Sequence, residues 1–366
     1  MNNEYHNLLA GTSLCYLRSE SFFVRTIPYR RKYMMDAKIS WGIIGTGWIA
    51  EKMAEALSFV KGAELRAVGS RTKHNAIEFA RRHHIGTAYG SYEELAADPQ
   101  IDVVYIATPH PFHCANSLMC LSNGKAVLCE KPFAMNEREV LQMISAAREQ
   151  NVFLMEAFWT RFLPSVDKVI DIISSGVLGE VRYINSDHAK FRPFDPNQRS
   201  FNKDLGGGAL LDIGIYPVFL TLLLWGEPDQ IDCVPHIGST GVDESLALTF
   251  KYGDGRIATL FSSFRVESTV ETHICGTEGR LKMDRWWFCP VPIELAKGED
   301  KPETINFDYV GNGYNYEADE VVRCLRSGRK ESEILPLDFS LRLIRLLDRI
   351  RKQMGLTYDA DLVNKM

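Results

Sequence analysis

The chain has 366 residues, which is long for one compact core, and two domains are the expectation. Hydrophobic residues make up 45% and charged residues 24%, as in ordinary globular proteins, and the net charge of −5 argues against nucleic acid as a general partner. The most apolar run, Ile213 to Trp225, is short and carries Pro217 inside it, so no membrane span is expected.

Eight cysteines are scattered without a C-x-x-C pair, which fits reduced thiols in a cytoplasmic protein better than a disulfide framework. His110, His113 and Cys114 lie close together on a predicted loop, a poor metal set, and no metal is expected. Residues 1–36 read as a loosely packed extension. They carry Arg18, Arg25, Arg30, Arg31 and Lys32 against Glu4, Glu20 and Asp36, and no long apolar segment that would suggest a secretory signal.

The first strong pattern is a β-branched run containing Ile39, Ile43 and Ile44, then Gly45-Thr46-Gly47, then the helix-forming stretch Trp48 to Leu57. Strand, glycine turn and helix together make a dinucleotide site of the G-x-G-x-x-A type. Gly45 permits the tight turn, Gly47 lets a pyrophosphate approach the backbone, and Ala50 allows close helix–strand packing. Amides at the start of that helix, with Trp48 and Ile49, then face the phosphates.

A second strand, Ala63 to Gly69, ends in Ser70-Arg71-Thr72-Lys73, where an NAD site would carry an acid for the ribose 2′-hydroxyl. Two cations and no carboxylate favour a 2′-phosphate on Ser70 and Arg71, so NADP is expected, although such a pocket would also admit NAD. Helices are predicted over 72–83 and 91–98, the latter opened by a Ser91/Glu94 capping box, with a short strand near Ala88 between them. Strands at 101–107, 125–129 and 152–156 alternate with helices at 112–123 and 136–150. This rhythm predicts an α/β Rossmann-type, doubly wound parallel sheet over 37–157, with ligands beyond the carboxyl ends of its strands. Gly45, Ser70, Ala107-Thr108-Pro109, Lys131 and Glu156 all fall at those ends.

From Phe158 the rhythm changes. A helix at 164–174 and a strand at 180–188 precede an irregular stretch, 191–203, and a glycine run, 206–208, that opens a helix to about Leu224. Alternating strands follow at 231–238, 244–252, 256–263, 270–275 and 279–283. An α+β domain over 158–335 with a large, mostly antiparallel, open-faced sheet is the expectation, and 336–366 should form a helix bracing the two domains. The uncovered face calls for a second copy of the chain, a homodimer through that sheet.

Two constellations carry chemistry. Glu130-Lys131-Pro132 places an ammonium where the nicotinamide end of a cofactor would lie. Asp212 and Tyr216, spaced i, i+4, share one helical face, and the preceding glycines let that helix approach cofactor or substrate. With these motifs the sequence resembles the glucose–fructose oxidoreductase/inositol dehydrogenase (Gfo/Idh/MocA) family. The likeness runs from about Lys38 to Leu347 and rests on Gly45 to Ala50, Thr108-Pro109 with His113, Glu130-Lys131-Pro132 and Gly207 to Tyr216. Tyr216, where many members carry His, and Glu156 to Arg161 are similar to the dihydrodiol dehydrogenase and xylose dehydrogenase branch.

The resemblance implies an NADP-dependent oxidoreductase passing hydride between nicotinamide and a secondary alcohol, or the anomeric hydroxyl of a sugar or cyclic trans-diol. Tyr216 is then the expected proton acceptor, with the Lys131 ammonium lowering its pKa and Asp212 orienting substrate or Lys131. The competing assignment makes Lys131 the acid/base and Tyr216 a positioning group. Trp159, Arg161 and Phe191 are candidates for the substrate wall. The rival class is a non-catalytic NADP-binding sensor of the same fold.

Overall fold

The computed structural model describes residues 37–362, so the expectation for residues 1–36 lies outside the described residues. Strands β1 (Ile39–Ile44), β2 (Ala63–Gly69), β3 (Thr87–Tyr89), β4 (Val103–Ile106), β5 (Ala126–Glu130) and β6 (Leu154–Ala157) form one sheet, all parallel, in the order β3-β2-β1-β4-β5-β6. They are linked by α1 (Trp48–Leu57), α2 (Lys73–Arg82), α3 (Tyr92–Ala97), α4 (His113–Ser122) and α5 (Glu137–Glu149). Helices cover both faces, so the central strands are apolar throughout: Trp41, Ile43 and Ile44 of β1 and all of β4 are buried. Each such side chain stabilises the fold by roughly 1.5–3 kcal/mol.

The caps follow the sequence with one adjustment. Asn136 accepts from the Glu139 amide at 3.1 Å and opens α5. Ser91 accepts from the Glu94 amide at 3.1 Å, but the Glu94 carboxylate reaches the Gly90 amide (3.0 Å) instead of that of Ser91. The predicted box is therefore shifted by one residue on its return arm.

The second half starts with α6 (Pro164–Ser174) and β7 (Val181–Ala189) and continues through α7 (Ile215–Trp225). Then come β8 (Gln230–Ile237), β9 (Asp243–Lys251), β10 (Ile257–Ser263), β11 (Thr272–Gly276), β12 (Gly279–Met283), β13 (Ile293–Lys297) and β14 (Glu303–Ile305). The eight strands order as β14-β13-β12-β11-β7-β10-β9-β8, antiparallel except for the parallel β7–β10 pair. The last two strands, β13 and the edge strand β14, were not expected. They are short, and Pro290, Pro292 and Pro302 around them read as loop.

After the glycine run 206–208 the chain is helical from Ala209 to Trp225, as the sequence suggested, and 89% of the apolar window of this region is buried inside the protein. It is the central helix of this half, packed on β7 and β10. On the sheet's opposite face Val234, Ala247 and Phe261 lie side by side in register across β8, β9 and β10, and Val234 is 72% exposed. The chain closes with α8 (Tyr314–Arg326) and α9 (Leu337–Met354). From α9, Arg351 donates to the Met135 carbonyl (3.1 Å) and Asp348 accepts from the Glu137 amide (2.9 Å), while Gln353 donates to the Ile231 carbonyl (3.1 Å). One helix is thus bonded to both sheets' halves.

Under the junction lies a group of buried carboxyls. Glu317 on α8 is fully buried and neither of its oxygens has a hydrogen-bond partner. Burial, then the nearby Glu130 and Glu156, hold its pKa well above the usual carboxylate range. A carboxyl with a raised folded-state pKa keeps a proton that the unfolded chain releases, so its contribution to stability is lost as pH rises above about 4.5 toward the folded value. Glu317→Gln should therefore be more stable than the parent at pH 8.5 by about 1–3 kcal/mol, and nearly equal to it at pH 5. Urea unfolding at the two pH values checks this; a pH-independent difference would contradict it.

Candidate active site

The strand order reverses beside β1, so the loops after β1 and β4 diverge and leave a crevice at the carboxyl ends of the strands. A cleft of about 1230 Å³ opens there and runs to the second sheet. Gly45, Thr46, Gly47, Trp48 and Ile49 line one wall, Ser70 and Arg71 the far end, and Ala107, Thr108, Pro109 and His113 the other wall. Glu130, Lys131, Trp159, Asp212 and Tyr216 line the inner end.

The glycine loop has the shape a dinucleotide requires. Gly45 has φ +108°, and a Cβ there would stand 2.6 Å from the Ala107 carbonyl oxygen. Around Gly47 nothing lies within 4 Å of a built Cβ, which leaves open space before the first turn of α1. Thr72, Asn75, Tyr92 and Lys52 join Ser70 and Arg71 at the outer end. The two carboxylates that line the cleft, Glu130 and Asp212, are both at the inner end. His113 is a buried strut: its Nδ1 and Nε2 stand 2.8 Å from the Pro132 and Thr108 carbonyl oxygens, and burial lowers its pKa to about 4. Glu156 is buried behind β5, where it accepts from the Phe133 amide at 3.0 Å.

Lys131 closes the inner end. It leaves β5 just before a cis Lys131–Pro132 peptide and donates to the Asp212 carbonyl at 2.6 Å. Its Nζ stands 3.8 Å from Asp212 Oδ1 and 4.8 Å from the centre of the Tyr216 ring, so it sits over the ring face. Asp212 lies on a π-helical turn, Leu210–Gly214, just before α7. Pro217 has no amide to complete the α-helical bond to Ile213, a local reason for the wider turn. The glycines before it serve the protein itself, contrary to expectation. A Cβ at Gly207 would lie 2.5 Å from the Arg199 carbonyl, and one at Gly208 would lie 2.3 Å from Asp243 Oδ1, whose carboxylate accepts from the Leu210 amide (2.6 Å).

Asp212 is held by cations on every side. Arg199 Nη2 lies 2.8 Å from Oδ1 and Arg192 Nη1 2.8 Å from Oδ2. Although burial alone would raise it, these guanidiniums and Lys131 keep its carboxyl well below the usual range. The Lys131 ammonium is lowered from 10.5 by burial, against the pull of Asp212 and Glu130. Burial also pushes the Tyr216 phenol well above 10, opposite to the lowering expected from Lys131. The ammonium meets the ring face, while the hydroxyl oxygen accepts from Trp159 Nε1 at 3.2 Å. Glu130, with a pKa raised to about 7 by burial, accepts from the Tyr105 hydroxyl.

Two of the predicted wall residues fall elsewhere. Arg161 turns away to pair with Asp167 at 2.7 Å, and does not line the cleft. Phe191 is 57% exposed; in its extended segment side chains alternate, so Lys190 and Arg192 face the cleft and Phe191 faces outward. Trp159 does line it, stacked on Tyr314 at 4.2 Å. The wall is completed by His188, Trp286, Phe288 and Arg199, which sequence reasoning missed. Their signal was weak: all but His188 sit on irregular segments, and only packing brings Phe288 to 4.7 Å from Tyr216 and 4.2 Å from His188. Among the described residues no cluster of His, Cys, Asp and Glu is arranged to hold a metal ion.

Comparison with known proteins gives the family and the fold. Residues 39–158 match the oxidoreductase family with an NAD-binding Rossmann fold, and residues 166–282 match the GFO/IDH/MocA C-terminal domain. The chain is 40% identical over 328 residues to a trans-1,2-dihydrobenzene-1,2-diol dehydrogenase of Xenopus laevis, covering 87% of this chain and 98% of that protein. It is 38% identical over 334 residues to the Homo sapiens protein of the same name, covering 88% and 99%. A 3-ketoreductase from Actinomadura kijaniata, solved with NADP and TDP-benzene, superposes with a TM-score of 0.76 at 26% identity over 86% of this chain and 97% of that one. An aldose–aldose oxidoreductase from Caulobacter crescentus shares the fold, with a TM-score of 0.79 at 24% identity over 87% and 98%. The chain belongs to the GFO/IDH/MocA family of oxidoreductases.

Proposed function

We propose that the chain is an NADP-dependent dehydrogenase for a secondary alcohol, or for the anomeric hydroxyl of a sugar or cyclic trans-diol. The carrying observation is that one cleft joins the glycine loop after β1 to Lys131 and Tyr216, from separate halves of the chain, 4.8 Å apart. The relatives named trans-1,2-dihydrobenzene-1,2-diol dehydrogenases support the substrate class. When bound, the nicotinamide supplies the hydride acceptor or donor.

The proton is the protein's task. A lowered ammonium is closer to neutral pH than a raised phenol, so Lys131 Nζ is assigned as the group that takes the hydroxyl proton in oxidation and returns it in reduction. Tyr216, tied to Trp159, positions the substrate, and Asp212 fixes the ammonium through its carbonyl. The outer end favours NADP because Ser70 and Arg71 meet no carboxylate there. A homodimer through the open sheet face, where Val234, Ala247 and Phe261 form an apolar row, and a reducing, cytoplasmic setting for the free thiols complete the reading.

NADP+ reduction with pentoses, hexoses and cyclic trans-diols tests the activity; tight NADPH binding without turnover of any would favour the sensor. Lys131→Met should lower kcat by about 10²–10⁴-fold, and Tyr216→Phe by about tenfold, the loss of one hydrogen bond. Because oxidation needs the neutral amine, kcat/KM should rise with pH through a limb below 10.5, and Lys131→Met should abolish that limb. Arg71→Gln should weaken NADPH binding by about 10–100-fold and NADH binding much less, read by cofactor fluorescence. In sedimentation, Phe261→Glu should shift the protein from dimer to monomer.

A further inference from the structure

The inner end of the cleft holds more positive charge than it needs. Arg192, Arg199 and Lys131 all surround one carboxylate, Asp212, with Arg192 and Arg199 each 2.8 Å from a different oxygen. Lys190 lines the same end. The second carboxylate there, Glu130, is turned to the Tyr105 hydroxyl and to the Lys131 amide, away from the guanidiniums. Asp212 and Glu130, the latter with its pKa raised to about 7, stand among three or four cations, which leaves the chamber positive, and an oxidised nicotinamide would add to that charge.

The guanidiniums are also under-used. Each carries five N–H donors, and the side chains remain 36% exposed for Arg199 and 24% for Arg192 on a wall of the cleft. Asp212, His110 and Ser200 accept fewer bonds than the pair can give. If Arg199 served only to hold Asp212, Arg192 and Lys131 would already suffice for one carboxylate. Confined excess charge is costly to keep without a counter-ion, and a planar guanidinium fork matches carboxylate and phosphate oxygens in pairs.

We propose that the substrate carries a carboxylate or phosphate group on the same ring as its reacting carbinol, and that Arg192 and Arg199 bind that group. This rests on the dehydrogenase reading above and names its substrate class: an acidic sugar or acidic cyclic diol in place of a neutral one. The carbon frame lies against Tyr216, Trp286 and Phe288, and the anion lies on the Arg192–Arg199 side of Lys131.

The test compares glucose, glucuronate and glucose 6-phosphate on the protein loaded with NADP+. Binding is read by quenching of the cleft tryptophans, and turnover by NADP+ reduction. One anionic probe should bind at least about tenfold tighter than glucose, and raising salt from about 50 to about 500 mM should shrink that margin. Arg199→Gln and Arg192→Gln should each collapse the ratio of anionic to neutral kcat/KM. Preference for glucuronate alone identifies a carboxylate; preference for the phosphate alone identifies a phosphate. Equal binding of all three probes, or variants that lose neutral and anionic probes in equal proportion, would overturn the proposal and leave the arginines as supports for Asp212. Salt-sensitive anion binding with no turnover of any probe, acidic or neutral, would instead sink the dehydrogenase reading and leave the anion site standing.

Discussion

The chemistry of the site depends on one bond across its middle: Lys131, at the end of a parallel strand, donates to the Asp212 carbonyl in the turn before the central helix of the other half. It joins the end of the glycine-loop sheet to the aromatic wall at the inner end of the cleft, where α9 and the Arg199–His110 contact also tie the halves together. The bond also fixes what the ammonium can do. It places Nζ over the face of Tyr216 and beside a carboxylate that two guanidiniums already claim. Lys131 is therefore a charge in a crowd, and burial with neighbouring cations draws its pKa down. The phenol is raised instead, because burial dominates there and its oxygen meets Trp159 while the ammonium lies over the ring.

The parts of this arrangement that were legible in the sequence are local ones. The β1 run, Gly45-Thr46-Gly47 and α1 occupy the residues that period and turn chemistry assigned to them. Alternation of strands and helices was sufficient for the parallel sheet, since its longer elements, such as β2 and α5, show their own period and the shorter strands fall between them. The likeness to a known family supplied the pairing of Lys131 with Asp212 and Tyr216, which no local pattern contains.

What the sequence hid was long-range. Arg161 looked like a wall residue by its place after Trp159, yet a carboxylate one turn into α6 captured it. Arg199 looked like loop, because nothing local says that residues 199–202 pack so closely on Gly207 that a Cβ would not fit. The direction of the Tyr216 shift was likewise hidden: burial of the phenol outweighs the nearby ammonium, and sequence spacing gives no measure of that burial.

The bonds of α9 to both halves bear on how the cleft can open. Arg351 and Asp348 grip the segment 135–137, and Gln353 grips β8, so swinging the halves apart would break buried polar contacts at the rear. Admission of ligand then falls to the front rim, where segment 190–203 carries Arg192 and Arg199 on a path without regular strand or helix until Lys203. A spine bonded at the rear leaves the open side of the cleft for entry, so the residues that first meet an incoming molecule are the same guanidiniums that hold Asp212 in place.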